Sequence, residues 1–122
     1  MKLPSEHSEQ AGLVMWFRTK FPTVLIYAVP NGEKRAMSVA VRLKAEGVVS
    51  GVPDLHVPQW GLWIEMKRTR GGVVSPAQRD MIEYLEGIGD TVFVPKGARE
   101  ASVLILDFVG AARPISGLRS LR

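Results

Sequence analysis

Apolar and polar positions change their period several times along the chain, and each change predicts an element. From Ser5 to Lys20 the spacing is helical, with Ser5 as N-cap, Glu6 and Glu9 in the early turns and Pro22 beyond the end. Thr23 to Val29 is an apolar, β-branched run and predicts a buried strand. After Pro30-Asn31-Gly32 a helix is predicted from Lys34 to Glu46, its apolar positions being Met37, Ala40, Val41 and Ala45, with Gly47 ending it. Asp54 to Lys67 then alternates with period two and reads as a β-hairpin turning at Gln59-Trp60. After Gly71-Gly72, Ser75-Pro76-Ala77-Gln78 opens a helix running to about Glu86, Thr91 to Val94 is a strand, and a last helix spans about Ala98 to Phe108.

The hairpin register follows from its turn. A two-residue loop pairs Val57 with Leu62, His56 with Trp63 and Asp54 with Glu65. Alternation then puts Asp54, His56, Trp63, Glu65 and Lys67 on one face, and Leu55, Val57, Leu62, Ile64 and Met66 on the other. The second set is the expected core, and the first carries the chemistry.

Length and composition narrow that chemistry. The 122 residues make one domain, expected over residues 1–109, followed by an extended basic tail over residues 110–122. No cysteine is present, which excludes disulfides and thiolate metal sites, and the two histidines are too few for a histidine cage. The N-terminus lacks the apolar run of a signal peptide and no stretch is apolar enough to span a bilayer, so a cytoplasmic protein without a membrane partner is expected. Sixteen basic against twelve acidic residues leave a net charge of +4, which favours polyanions. Lys44, Arg68 and Arg70 are the candidate contacts to a nucleic-acid backbone.

Asp54 and Glu65 supply the hard oxygen ligands that magnesium or manganese prefers, and the Met66 carbonyl at the same edge is a further ligand. Lys67 beside them would position the attacking water and offset charge in a phosphoryl transition state. The chemistry expected is metal-assisted phosphodiester hydrolysis, with no small-molecule cofactor. His56 is on the same face, where it is either a packed side chain or a participant. Trp16, Trp60 and Trp63 read as packing residues, with Trp60 at the turn tip also placed to touch DNA or a second subunit.

The series Ser5-Glu6-x-x-x-Gln10, Pro30-Asn31-Gly32 with Arg35, Leu43-Lys44-Ala45-Glu46-Gly47, Gly51-Val52-Pro53-Asp54-Leu55, Ile64-Glu65-Met66-Lys67 and Ser75-Pro76-x-Gln78 resembles the VRR-NUC branch of the PD-(D/E)xK nucleases. The resemblance runs from Ser5 to about Val94. The Val-Arg-Arg signature itself is not continuous here; Val41-Arg42-Leu43 is the nearest stretch, which leaves the role of Arg42 open.

The resemblance implies an α/β fold, a restriction-endonuclease-like mixed β-sheet flanked by helices. It implies metal ligands at Asp54, Glu65 and the Met66 carbonyl, and a catalytic lysine at Lys67. A glutamate of the first helix completes such sites, and Glu6 is preferred to Glu9: Glu6 shares a stripe with Gln10, Leu13 and Phe17, whereas Glu9 aligns with Leu13, Trp16 and Lys20. Gln78 has two readings, the N3 residue of a capping box with Ser75 or a group reaching the metal site, and one side chain is not expected to do both. Asn31 and Arg35 resemble positions near the active site, although Asn31-Gly32 is equally a turn. Stand-alone members of the branch resemble homodimeric resolvases of four-way DNA junctions from phages and bacteria. Branched DNA and a second copy are therefore the expected partners, in a bacterial or phage-infected cell.

Overall fold

The structure, a computed structural model, describes residues 3–30 and 36–116, with the backbone alone for residues 112–116. Its centre is the hairpin. Strands β2 (Leu55–Val57) and β3 (Leu62–Ile64) pair antiparallel as Leu55 with Ile64, His56 with Trp63 and Val57 with Leu62, the register that alternation predicts. A 3-10 turn at Pro58–Trp60 connects them, closed by Gly61 in the left-handed region at φ 58°. Leu55, Val57, Leu62, Ile64 and Met66 are all fully buried.

Around the hairpin stand β1 (Tyr27–Ala28), antiparallel to β2, and β4 (Thr91–Phe93), parallel to β3, giving the sheet order β1-β2-β3-β4. Four helices flank it: α1 (Glu6–Lys20), α2 (Met37–Ala45), α3 (Pro76–Gly87) and α4 (Ala98–Ser116). Helix α3 is the crossover that parallel β3 and β4 require. Helices α1 and α4 pack together, and Leu13 and Phe17 of α1 with Ala101 and Ile105 of α4 join the buried hairpin face in one core. Each such large apolar side chain contributes roughly 1.5–3 kcal/mol. This is the mixed, helix-flanked α/β architecture that the sequence implies.

Three elements depart from the sequence pattern, and Trp60 takes the packing reading of its two. The strand expected over Thr23 to Val29 forms a ladder at Tyr27–Ala28 alone, and Leu25 and Tyr27 are exposed. It is an edge, capped where Arg18 Nη2 donates to the Ile26 carbonyl at 3.2 Å. Helix α2 starts at Met37 among the described residues, and its apolar Met37, Ala40, Val41 and Ala45 are exposed rather than packed. Trp60 is not a free turn tip: it packs against Phe17, Phe21 and Phe108 at ring distances of 5.1–6.3 Å. Helix α4 continues through Gly110 to Ser116, past the expected end at Phe108; residues 117–122 lie outside the described residues. None of the described helices is long and apolar enough to cross a membrane.

Candidate active site

Beyond Ile64 the chain stays extended and keeps bonding to the β4 side: Glu65 N–H donates to the Phe93 carbonyl at 2.8 Å and Lys67 N–H to the Pro95 carbonyl at 3.0 Å. Met66, between them, turns its N–H the opposite way, to Asp54 Oδ2 at 2.8 Å. A residue's own N–H and C=O point to the same side of an extended chain, so the Met66 carbonyl also faces the Asp54 side. Asp54 Oδ2 therefore locks the two hairpin ends together, and Glu65 and Lys67 project from the same face of the chain.

Both of those side chains are buried, Glu65 at 2% exposure and Lys67 at 7%. Lys67 Nζ stands 3.5 Å from Glu65 Oε2. Gln78, from the first turn of α3, reaches between them: its Nε2 donates to Glu65 Oε2 at 2.7 Å, and its Oε1 accepts from Lys67 Nζ at 3.0 Å. The same Oε1 accepts from the Ser75 N–H at 2.9 Å, while Ser75 Oγ accepts from the Gln78 N–H at 3.2 Å. The capping box is complete and the side chain also holds the site, so the expectation that Gln78 could serve only one of these is overturned. A primary amide with an acceptor of two lone pairs and two donors has the valence for all of it.

Burial dominates the electrostatics. It pushes the Glu65 carboxyl up to about 7, reinforced by the charge of Asp54 and opposed by Lys67. Burial also raises Asp54, against the Met66 N–H, which favours its charged form. The charge of Glu6 pushes both groups up. Glu65 Oε1 is buried and has no hydrogen-bond partner among the described residues. Orphaned buried carboxylate oxygens are rare and costly unless something else satisfies them.

Of the two glutamates on α1, Glu9 is occupied elsewhere: its Oε1 accepts from the Ala98 N–H at 2.8 Å and caps α4. Half-buried Glu6 is the one whose field reaches both carboxyls, and it sits on the stripe of buried Leu13 and Phe17. Among the described residues no three His, Asp or Glu side chains close up into a ready metal cage. Asp54 and Glu65 still fit a magnesium-type ion, which needs only one or two carboxylates and keeps several waters.

Arg68 and Arg70 are exposed in the loop that follows Lys67, and Lys44 is exposed near the end of α2. Asn31 and Arg35 lie outside the described residues. His56 does not join the carboxylates: it stacks on Trp63 and bonds to the Tyr27 hydroxyl, and burial lowers its imidazole pKa against the pull of Asp90. Two glycines, which the sequence shows only as part of a flanking match and as part of a loop, also build the site. A Cβ on Gly51 would run into the Ala77 carbonyl oxygen and lie 2.9 Å from the Gln78 nitrogen, and one on Gly72 would lie 2.8 Å from Lys67 Cβ. Gly51 at φ +86° had a local signal, a glycine three residues before Asp54; Gly72 had only the Gly-Gly loop.

No family model matches the chain, and no curated protein matches it. Among solved structures, one described as a VRR_NUC domain protein superposes with a TM-score of 0.73, covering 90% of this chain and 92% of that one at 23% sequence identity. At that identity the likeness establishes a shared fold, which is the restriction-endonuclease-like α/β fold.

Proposed function

We propose that the chain is a divalent-metal-dependent endodeoxyribonuclease that hydrolyses phosphodiester bonds in branched DNA, four-way junctions foremost. The observation that carries this reading is the buried pair Glu65 and Lys67 beside Asp54, bridged by Gln78, with one Glu65 oxygen unsatisfied. A VRR_NUC domain protein of the same fold supports it.

In this reading Asp54, Glu65 and the Met66 carbonyl would hold magnesium or manganese, with Glu6 as a further carboxylate nearby. The metal, when bound, acidifies its water and polarises the phosphoryl oxygen. Lys67, fixed by Gln78 and Glu65, orients the attacking water and offsets the charge that grows on the phosphoryl group. Gln78, bonded to both Lys67 Nζ and Glu65 Oε2, fixes the two side chains relative to each other. Arg68, Arg70 and Lys44, together with Asn31 and Arg35, contact the DNA backbone, which positions the substrate without reading its sequence. A homodimer would set two such sites about a two-fold axis for paired incisions, and exposed Met37 and Val41 of α2 offer apolar surface for it.

The test is cleavage of labelled four-way junctions, flaps and linear duplex with magnesium, manganese or chelator. Metal-dependent incision of junctions, abolished in Lys67→Ala and Asp54→Asn with the fold intact, is expected. Preferred cleavage of flaps or duplex would reassign the substrate; binding without any cleavage would make the chain a DNA-binding subunit. Sedimentation as a monomer during full junction cleavage would remove the dimer.

A further inference from the structure

Aromatic side chains gather on both faces of the sheet. Phe17, Phe21, Trp60 and Phe108 interlock in the core under α1 and α4. Tyr27, His56 and Trp63 form a separate row on the opposite face, as direct cross-strand partners on β1, β2 and β3. His56 lies flat on Trp63, with ring centroids 3.7 Å apart and planes 11° apart, and meets Tyr27 edge-on at 5.3 Å. Both polar tips are held: the Tyr27 hydroxyl bonds to His56 Nδ1 at 2.7 Å, and Trp63 Nε1 donates to Asp90 Oδ2 at 2.8 Å. The rings are thus fixed in orientation while Tyr27 stays 40% exposed.

This row adjoins the carboxylates. His56 is two residues beyond Asp54 and Trp63 two before Glu65, on the same face, a separation of about 7 Å along each strand. A nucleic-acid strand advances about 3.4 Å per stacked nucleotide and further when unstacked, so one or two nucleotides cover that distance. Resting on the nuclease reading above, we propose that Tyr27, the exposed end of the row backed by His56 and Trp63, is a stacking surface for an unpaired DNA base, one or two nucleotides from the scissile phosphate at the Asp54–Glu65 site. A base inside a duplex already has both faces covered. One at a branch point has a free face, and stacking accepts any base because each has a π-face. The row therefore favours branched substrates without favouring a sequence.

The experiment binds junction and duplex DNA to the full chain in chelator, with 2-aminopurine at the first or second nucleotide from the incised bond. Quenching of its fluorescence is expected with the wild type and with Tyr27→Phe, and loss of quenching with Tyr27→Leu. Affinity for the junction should fall roughly tenfold in Tyr27→Leu, with duplex affinity unchanged. An abasic nucleotide at the same position should weaken wild-type binding by a similar factor, a measurement that needs no variant. Equal quenching in the wild type and Tyr27→Leu, or no effect of the abasic nucleotide, would overturn the stacking surface while leaving the nuclease reading standing. Absence of metal-dependent cleavage by the wild type would overturn that reading itself.

Discussion

Gln78 Nε2 donates to Glu65 Oε2 at 2.7 Å, so the first turn of α3 is tied directly to a buried carboxylate of the hairpin. The same amide completes the α3 capping box, which joins the stability of a helix end to the geometry of the site. The two roles separate by mutation. Ser75→Ala removes the N-cap acceptor and should cost about 1 kcal/mol in denaturant unfolding with cleavage nearly retained. Gln78→Ala should cost a similar amount and also lower the cleavage rate roughly a hundredfold, because Lys67 and Glu65 lose their bridge. Equal rates for the two variants would show that Gln78 is a cap alone.

The raised Glu65 carboxyl makes stability depend on pH. Between its ordinary value of 4.5 and about 7, folded Glu65 holds a proton that the unfolded chain gives up. Stability of the metal-free protein should therefore fall as pH rises through that window, with Asp54 adding in the same direction. A loss on the order of 1–3 kcal/mol between about pH 5 and pH 8 is expected. Urea unfolding in chelator measures it, and Glu65→Gln should flatten the slope. A rise in stability over the same interval would refute the assignment.

Metal addition should reverse that loss. A divalent ion held by the charged carboxylates would stabilise the folded state by mass action, about 2.7 kcal/mol at a hundredfold excess over Kd. Manganese or magnesium should therefore raise the melting temperature more at about pH 8 than at about pH 5, where protons compete for the same oxygens. Asp54→Asn and Glu65→Gln should lose the effect. An equal rise in these variants would place the ion elsewhere.

Glu6 and Glu9 should fail in different ways. Glu9 caps α4 across 89 residues of sequence, so Glu9→Gln should weaken a charge-assisted bond worth about 1–2 kcal/mol and leave metal binding in place. Glu6→Gln should leave stability nearly unchanged or raised, since it removes a negative charge facing Asp54 and Glu65, and should weaken manganese binding by titration calorimetry. The reverse pattern would exchange their roles.

The hairpin was legible because a two-residue period and a tight turn leave one register, and burial of Leu55 through Met66 follows from it. The stripe through Leu13 and Phe17 likewise carries Glu6, whose charge acts on Asp54 and Glu65. What was not legible depends on distance. An apolar run such as Thr23 to Val29 does not reveal that its ladder will stop after Tyr27–Ala28. The apolar positions Met37, Ala40, Val41 and Ala45 of α2 are exposed, which helical periodicity alone does not reveal. Nothing local to Glu9 announces an acceptor for the Ala98 N–H, and the reach of Gln78 toward Glu65 and Lys67 was suggested by the family resemblance alone, beside the capping box that its local sequence shows.

Gly51 extends this long-range construction into the backbone. Its φ of +86° suits glycine, and a methyl group there would enter the Ala77 carbonyl and approach the Gln78 nitrogen at 2.9 Å. The obstacle is backbone on both counts, so it cannot rotate away, and α3 must shift as a body. Gly51→Ala should therefore cost about 1–3 kcal/mol and lower cleavage at least as much as Gln78→Ala, because the whole first turn carrying the amide is displaced. Gly72→Ala is the contrasting case: its methyl would press on Lys67 Cβ at 2.8 Å and on Lys67 Cδ at 3.2 Å, displacing the lysine and leaving α3 in place. Hydrogen exchange at the Gln78 amide distinguishes them, rising in Gly51→Ala and unchanged in Gly72→Ala, while both lose cleavage. Wild-type rates in Gly51→Ala would show that the packing of α3 against this glycine does not set the position of Gln78.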